Sequence, residues 1–324
     1  MVKDLSEASS GDNALRIAWA AHAGAGAGSG ARAEEFMMQL LPVDTFVMTD
    51  QEPDVILFMS GGSERKAISM MVSGHPVLLL SISGNNAYAA ATEVMAWTVS
   101  QGRFALLADA MEASGSGLID KWRITVGVWN SLREKKAGLI GTVSDWLVAS
   151  DVSDENLQTR FGITLERIPW STLPDYMEQE PDGSLMERFK GRNAAGLNEA
   201  SRVLTLLRHT VAKNGLSAIA VECFSLVQQR KVTACLALAQ LNNEGLVAAC
   251  EGDLASMAGM ILIRAVTGSV PWMANTSGIN NTTLLLSHCT IAFDLVRDIK
   301  LMTHFETDQS LAVKGTIPET EVTL

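Results

Sequence analysis

Short apolar runs alternate with stretches of helical period along nearly the whole chain. "LRIAWAAH" (15–22) predicts a strand, "ARAEEFMMQLL" (31–41) an amphipathic helix, and "DTFVM" and "DVILFMS" (54–60) two further strands. "SERKAISMMVS" then predicts a helix, "PVLLLSI" (76–82) a strand and "NAYAAATEVMAWTVSQG" a long helix. "RFALLA" (103–108) is a strand, with helical material to about Lys135. Unbroken apolar strands joined by helices are the pattern of a parallel sheet covered on both faces.

The pattern restarts near residue 134. "KKAGLIGTVSDWLVAS" (135–150) gives a charged lead-in, a strand and a polar turn at Ser144-Asp145; "GITLERIPW" gives another strand. "LNEASRVLTLLRHTVAKNG" (197–215) is an amphipathic helix stopped by Gly215, "LSAIAVEC" (216–223) a strand, and "TACLALAQLNNEG" (233–245) a helix again ended by glycine. "LVAAC" is a strand and "LASMAGMILIRAVTG" an apolar helix. After Gly268 the style changes. "TTLLLSHC" (282–289), "IKLMTHFE" (299–306), "SLAVKG" (310–315) and "EVTL" are short strand-like pieces with no helices between them. The expected architecture is α/β: two Rossmann-like parallel-sheet domains (1–134 and 135–280) and a short antiparallel β segment (281–324). The last is a partial barrel, either naturally short or truncated.

Composition narrows the function. Hydrophobic residues are 47% and charged residues 19% of the 324, an ordinary globular balance. The formal net charge of −11 repels phosphate backbones, so nucleic acid is not an expected partner. The apolar stretch from Ala18 to Ala27 is short, glycine-laden and preceded by acids, which does not fit a secretory signal, and no run is long enough for a membrane span. A cytoplasmic protein without membrane association is expected. None of the four cysteines, Cys223, Cys235, Cys250 and Cys289, forms a C-x-x-C pair, as expected of reduced, buried thiols.

Several segments could carry chemistry. "HAGAGAGSGAR" (22–32) follows a strand, and Gly26-x-Gly28-x-x-Ala31 imitates a dinucleotide fingerprint; a plain loop at the sheet edge is the competing reading. "FMSGGSERK" and "LLSISGNNAY" are strand–turn–helix units whose exposed N–H groups suit a polyhydroxylated ligand.

A stronger pattern lies in the second half. Three apolar strands end in metal-type ligands: Glu222, then Glu251 with Asp253, then His288. Ligands of open α/β sheets sit beyond the carboxyl ends of the strands. Carboxylates with one imidazole suit Mn²⁺ or Mg²⁺ better than thiolate-preferring metals. Singly, Asp253 reads equally well as a helix N-cap and His288 as a core histidine. Cys223, Cys250 and Cys289 each adjoin one of these residues. A zinc site built from them is an alternative, but strand neighbours point to opposite faces, which sends the thiols to a core if the acids face the site.

"AACEGDLASMAGMILIRAVTG" with "WMANTSGINNTTLLLSHC" resembles the metal-site region of the L-fucose and L-arabinose isomerase superfamily. "KAGLIGTVSDWLVAS" and "SAIAVECF" resemble its fucose isomerase-related branch. The resemblance covers about residues 136–306. It implies interconversion of aldose and ketose through a cis-enediol on a deoxy sugar or pentose, with Mn²⁺ as Lewis acid and carboxylates moving a proton between C1 and C2. Carried over, Glu251, His288, Glu222 and Asp253 would hold the ion, and Glu222 or Glu251 would act as base. Ser144, Asp145, Trp146 and Asn275 would contact the sugar. A homo-oligomer, trimer or hexamer, with sites completed by a neighbour's N-terminal domain is also implied.

The chain departs from the family pattern at Ala274, where arabinose-type enzymes carry a second glutamate, and in a shorter β segment that leaves His304 as the one candidate late histidine. Two other classes stay open: a non-catalytic sugar-binding or regulatory module, and a nucleotide-dependent oxidoreductase resting on the glycine loop alone.

Overall fold

The computed structural model describes residues 14–26, 28–133, 135–192 and 195–322. The leader reading at the N-terminus thus falls largely outside the described residues, as do Ala27 of the glycine cluster, Glu134 at the expected boundary, and the last two residues of "EVTL". Two compact units divide between Asn130 and Ser131.

The first unit runs β1 (Leu15–Ala20), α1 (Ser29–Leu40), β2 (Phe46–Met48), β3 (Val55–Phe58), α2 (Glu64–Met70), β4 (Val77–Ser81), α3 (Ala87–Ser100), β5 (Ala105–Asp109), α4 (Ala110–Gly115) and α5 (Leu118–Arg133). Its strands form one parallel sheet in the order β2-β1-β3-β4-β5. Every residue of β3 and β4 is buried, which is why these strands read as unbroken apolar runs. Alternate side chains serve opposite faces. Ile17, Val55, Leu57, Leu78 and Leu80 join Ala33 and Met37 of α1 and Ile119 and Trp122 of α5. Ala18, Ile56, Phe58, Val77 and Leu79 join Ala67 of α2 and Ala87, Ala91 and Val94 of α3. Buried Asp54, just before β3, ties this unit together. It accepts from Arg16 Nη2 at 3.0 Å and pairs with His75 Nε2 at 2.8 Å, while its carbonyl accepts from Trp122 Nε1 at 2.8 Å.

The second unit runs β6 (Lys136–Ile140), α6 (Asp154–Phe161), β7 (Thr164–Ile168), α7 (Gly183–Arg188), α8 (Leu197–Asn214), β8 (Ala218–Val221), α9 (Phe224–Arg230), α10 (Cys235–Asn243), β9 (Val247–Cys250) and α11 (Leu254–Thr267). The sheet is parallel in the order β7-β6-β8-β9. α8 buries Ala200, Val203, Leu204 and Leu207, the i, i+3, i+4, i+7 stripe of a helix lying on a sheet, and ends at Gly215 with φ 63°. α10 is buried along its length, packed against α8, β9 and the C-terminal strand Ala312–Thr316.

The C-terminal strands are β10 (Asn275–Ile279), β11 (Leu284–Ser287), β12 (Arg297–Met302) and β13 (Ala312–Thr316). They form two separate antiparallel pairs, β10-β11 and β12-β13. The architecture is therefore α/β with two parallel sheets and a small antiparallel part, which falls in the same compact unit as the second sheet. The sequence pattern does not mark β10, because "NTSGI" is polar and exposed; the described part of "EVTL", Glu321 and Val322, is irregular. No helix among the described residues is long and apolar enough to cross a membrane.

Candidate active site

In the second sheet the chain steps from β6 out to β7 and returns on the other side to β8. The topological switch point therefore lies between β6 and β8, and the ends of these strands are where an open α/β sheet offers a crevice. Gly141 and Glu222 sit there. Gly141 has φ 88°, and a Cβ on it would stand 2.7 Å from Trp170 Nε1 and 2.9 Å from Glu222 Cβ. The glycine makes room for a held carboxylate. Glu222 is buried, with Oε1 accepting from Ser225 N at 2.9 Å and Oε2 from Trp170 Nε1 at 3.3 Å. A carboxylate in such a setting needs these donors, because burying it unpartnered would be costly. Trp170 gave no signal in the sequence beyond its place at the end of "ERIPW".

One strand further, β9 delivers the chain into Glu251-Gly252-Asp253. Glu251 has φ 61°, a left-handed conformation that is rare for a residue with a side chain. Gly252 follows at φ 68°, and any Cβ there would lie 2.3 Å from the carbonyl oxygen of Thr142. Ser144 locks the turn, donating from N (3.1 Å) and Oγ (2.8 Å) to the Glu251 carbonyl. The Glu251 carboxylate is thereby aimed along the sheet edge. Its Oε2 accepts from Trp146 Nε1 at 2.9 Å, and its Oε1 lies 3.7 Å from His288 Nε2.

His288 follows β11. Its side chain is 1% exposed, and Nε2 is buried with no hydrogen-bond partner among the described residues. Burial pushes the imidazole pKa down, but Cys289 and the Glu251 carboxylate outweigh it and leave the group above its ordinary value. Asp253 behaves differently. It is the N-cap of α11, with Oδ1 accepting from Ser256 N at 2.8 Å and Oδ2 from Ser256 Oγ at 2.7 Å.

The structure thus brings Glu251, His288 and Trp146 together, with Ser144 beneath them. Asp145 is exposed in the same turn, and Asn275 is exposed at the start of β10, opposite Ser287. His304 lies with Cys235 and Cys289 instead. All four cysteines are buried, and they converge: Cys223 Sγ is 3.3 Å from Cys250 Sγ, which is 3.9 Å from Cys289 Sγ. Hydrogen bonds from Cys235 and Cys250, with the rings of His288 and His304, hold the Cys289 thiol well below its usual range against the effect of burial. The Cys235 thiol is pushed up in turn by its bond to Cys289. Strand alternation anticipated burial of the thiols; their convergence depends on how α10 and the C-terminal strands pack, which local sequence does not encode.

In the first unit the same edge logic builds a cavity. Loops after β1, β3 and β4 enclose about 1050 Å³, lined by His22, Ser60, Gly61, Asn85, Asn86 and Glu93 among others.

The fold and this edge define the class: an α/β protein with a carboxylate at the carboxyl end of the parallel sheet (Glu251, after β9) paired with an imidazole that follows the antiparallel strand β11 (His288). Comparison with known proteins gives it a neighbourhood. No family model matches. The chain is similar to sulfoquinovose isomerases of Priestia aryabhattai and Priestia megaterium, each 22% identical over 175 residues, which cover 50% of this chain and 39% of the relative. It is 30% identical to the sulfoquinovose isomerase of Alkalicoccus urumqiensis over 112 residues, 33% of this chain and 25% of the relative. The chain thus spans well under half the length of the curated relatives it matches.

Proposed function

We infer that this chain is a sugar aldose–ketose isomerase whose chemistry centres on Glu251, His288 and Glu222. The observation that carries this reading is the buried, unpartnered Nε2 of His288 facing Glu251 Oε1 at 3.7 Å. An orphaned imidazole nitrogen beside a free carboxylate oxygen fits a hard divalent cation, Mn²⁺ or Mg²⁺, held by Glu251 and His288. Asp253 would join them only by releasing Ser256, and Glu222 only by sharing oxygens already bonded to Ser225 and Trp170. Such an ion supplies charge neutralisation for the oxygens of a reacting sugar.

The chain's own residues do the rest. Glu222 is the base that moves a proton between C1 and C2, its carboxylate oriented by Trp170 Nε1 and the Ser225 N–H. Trp146 Nε1 fixes Glu251 Oε2, and its half-exposed indole offers a flat apolar face to a sugar ring. Asp145 and Asn275, both exposed, are the hydroxyl-binding candidates. The substrate class is a deoxy sugar or pentose by the fucose- and arabinose-type resemblance, and sulfoquinovose is the specific candidate drawn from the relatives.

The cavity of the first unit, with paired asparagines and glycine turns, suits a polyhydroxylated ligand. It fits a homo-oligomer in which this unit serves a neighbour's site, and it equally favours the second reading, a non-catalytic sugar-binding module. Incubation with sulfoquinovose, L-fucose and L-arabinose in the presence of Mn²⁺ separates the two. Ketose formation supports the isomerase; saturable sugar binding without turnover supports the binding module.

A further inference from the structure

A second constellation lies behind the carboxylates, built from softer ligands. Sγ of Cys235, Sγ of Cys289 and a ring nitrogen of His304 all lie within 4.8 Å of one another. The three residues are 0%, 6% and 1% exposed. They come from the start of α10, the residue after His288, and the turn between β12 and β13. Cys250 Sγ, at the end of β9, stands 3.9 Å from Cys289 Sγ. Thiolates sharing one zinc ion are about 3.8 Å apart, from Zn–S bonds of about 2.3 Å in tetrahedral geometry.

We propose that Cys235, Cys289 and His304 form a binding site for a soft d¹⁰ cation, Zn²⁺ or Cu⁺, that fastens the C-terminal β segment to α10. As placed, three donors suit a trigonal Cu⁺ ion; Zn²⁺ would recruit Cys250 as its fourth ligand, giving a closed Cys₃His site.

The surroundings are those of a ligand set rather than of a plain core. His304 Nδ1 is bonded to Thr307 Oγ1 at 3.2 Å, the kind of outer contact that fixes a ligating ring. The Cys235 carbonyl accepts from Thr290 Oγ1 at 2.9 Å, and the Cys289 carbonyl from Val313 N at 3.3 Å, so the backbone around both thiols is held. There is also a physical need. β10-β11 and β12-β13 are isolated two-stranded ladders, and such pairs have little stability of their own. A metal gripping α10, the end of β11 and the β12-β13 turn adds to the ties already made by buried Leu311, Ala312 and Val313 and by the bond of Thr290 to the Cys235 carbonyl, as structural metals do in small modules. The site adjoins the isomerase residues, with Cys289 Sγ 3.6 Å from His288 Nδ1, but it differs in its donors: a hard ion at Glu251 and His288 avoids thiolates, and a soft ion at the thiols needs neither Glu251 nor Glu222.

The test is metal content and ligand spectroscopy on the full chain, refolded under reducing, anaerobic conditions with Zn²⁺ or with Cu⁺ and then desalted. One tightly held equivalent is expected, with X-ray absorption showing two or three sulfurs and an imidazole nitrogen in its shell. Two sulfurs with Cu⁺, or three with Zn²⁺, tells which ion the site takes. Cys235→Ser and His304→Gln should each weaken binding by roughly tenfold or more. Cys223→Ser and Glu251→Gln should leave the soft-metal content unchanged, whatever Glu251→Gln does to turnover. Absorption on the wild-type chain needs no variant to fold. A wild-type protein that retains neither ion, a shell of oxygen and nitrogen alone, or undiminished binding in Cys235→Ser and His304→Gln would each overturn the proposal.

Discussion

Glu251 Oε1 and His288 Nε2 face each other across 3.7 Å, one held by a left-handed turn after β9 and the other buried after β11. Neither group pairs with the other at hydrogen-bond distance, and among the described residues the imidazole nitrogen has no alternative partner. A cation between them resolves both. Mn²⁺ at a hundredfold excess over its dissociation constant should then stabilise the wild-type chain by about 2.7 kcal/mol, seen as a rise in Tm. Glu251→Gln and His288→Gln should abolish that rise while remaining folded. An undiminished Mn²⁺ response in both variants would remove the ion from this pair.

Glu222 should separate from them by its phenotype. Its oxygens are occupied by Ser225 and Trp170 and its role is proton transfer. Glu222→Gln is expected to lower kcat by about 10²–10⁴-fold while leaving the Mn²⁺-dependent Tm shift intact. Steady-state kinetics and thermal shift on the same preparation check this; loss of the Mn²⁺ response would make Glu222 an ion ligand instead.

Gly252 carries a backbone demand. With φ 68° and the Thr142 carbonyl 2.3 Å from where a Cβ would stand, Gly252→Ala must move the turn that positions Glu251. The strained φ alone costs roughly 1–3 kcal/mol, and the collision adds to it. Tm should fall by several degrees, with turnover lost before the fold is. A variant with unchanged Tm would show that the turn relaxes freely.

Asp54 sets the acid stability of the first unit. Burial pushes its pKa up, but hydrogen bonds from His75 and Arg16 outweigh this and leave it below the ordinary carboxylate value. A depressed folded pKa means that its stabilisation is fully present above the unfolded pKa of about 3.9 and is lost as pH falls through the folded one. Asp54→Asn should lower stability near neutral pH by roughly 3 kcal/mol and flatten the acid limb of the stability profile. Urea unfolding at pH 7 and at acid pH measures both effects.

Much of this molecule is legible in its sequence because parallel strands are buried on both faces and so appear as apolar runs such as "VILF" and "VLLLS". Glycine stops at Gly215 and Gly245 fall just past real helix ends, both with positive φ. The C-terminal segment was harder, since exposed two-stranded ladders leave no apolar signature; β10 is the example. At the site, residue type and strand-end position singled out Glu222, Glu251 and His288, yet the roles of their neighbours needed the fold. Asp253 is a cap because its oxygens reach Ser256 three residues on. Trp170 reaches Glu222 across a sheet edge, and the thiols meet because α10 carries Cys235 to Cys289. Such contacts depend on tertiary packing rather than on local pattern.

The central claim is tested most directly by NMR in D₂O. The chain is incubated with Mn²⁺ and sulfoquinovose, L-fucose or L-arabinose, and the sugars are analysed after chelation of the ion. The account predicts interconversion of aldose and ketose for at least one sugar, with solvent deuterium entering at C1 or C2, and neither event in Glu251→Gln. Wild-type protein that binds Mn²⁺ yet yields no ketose and no deuterium incorporation from any of the three would contradict it.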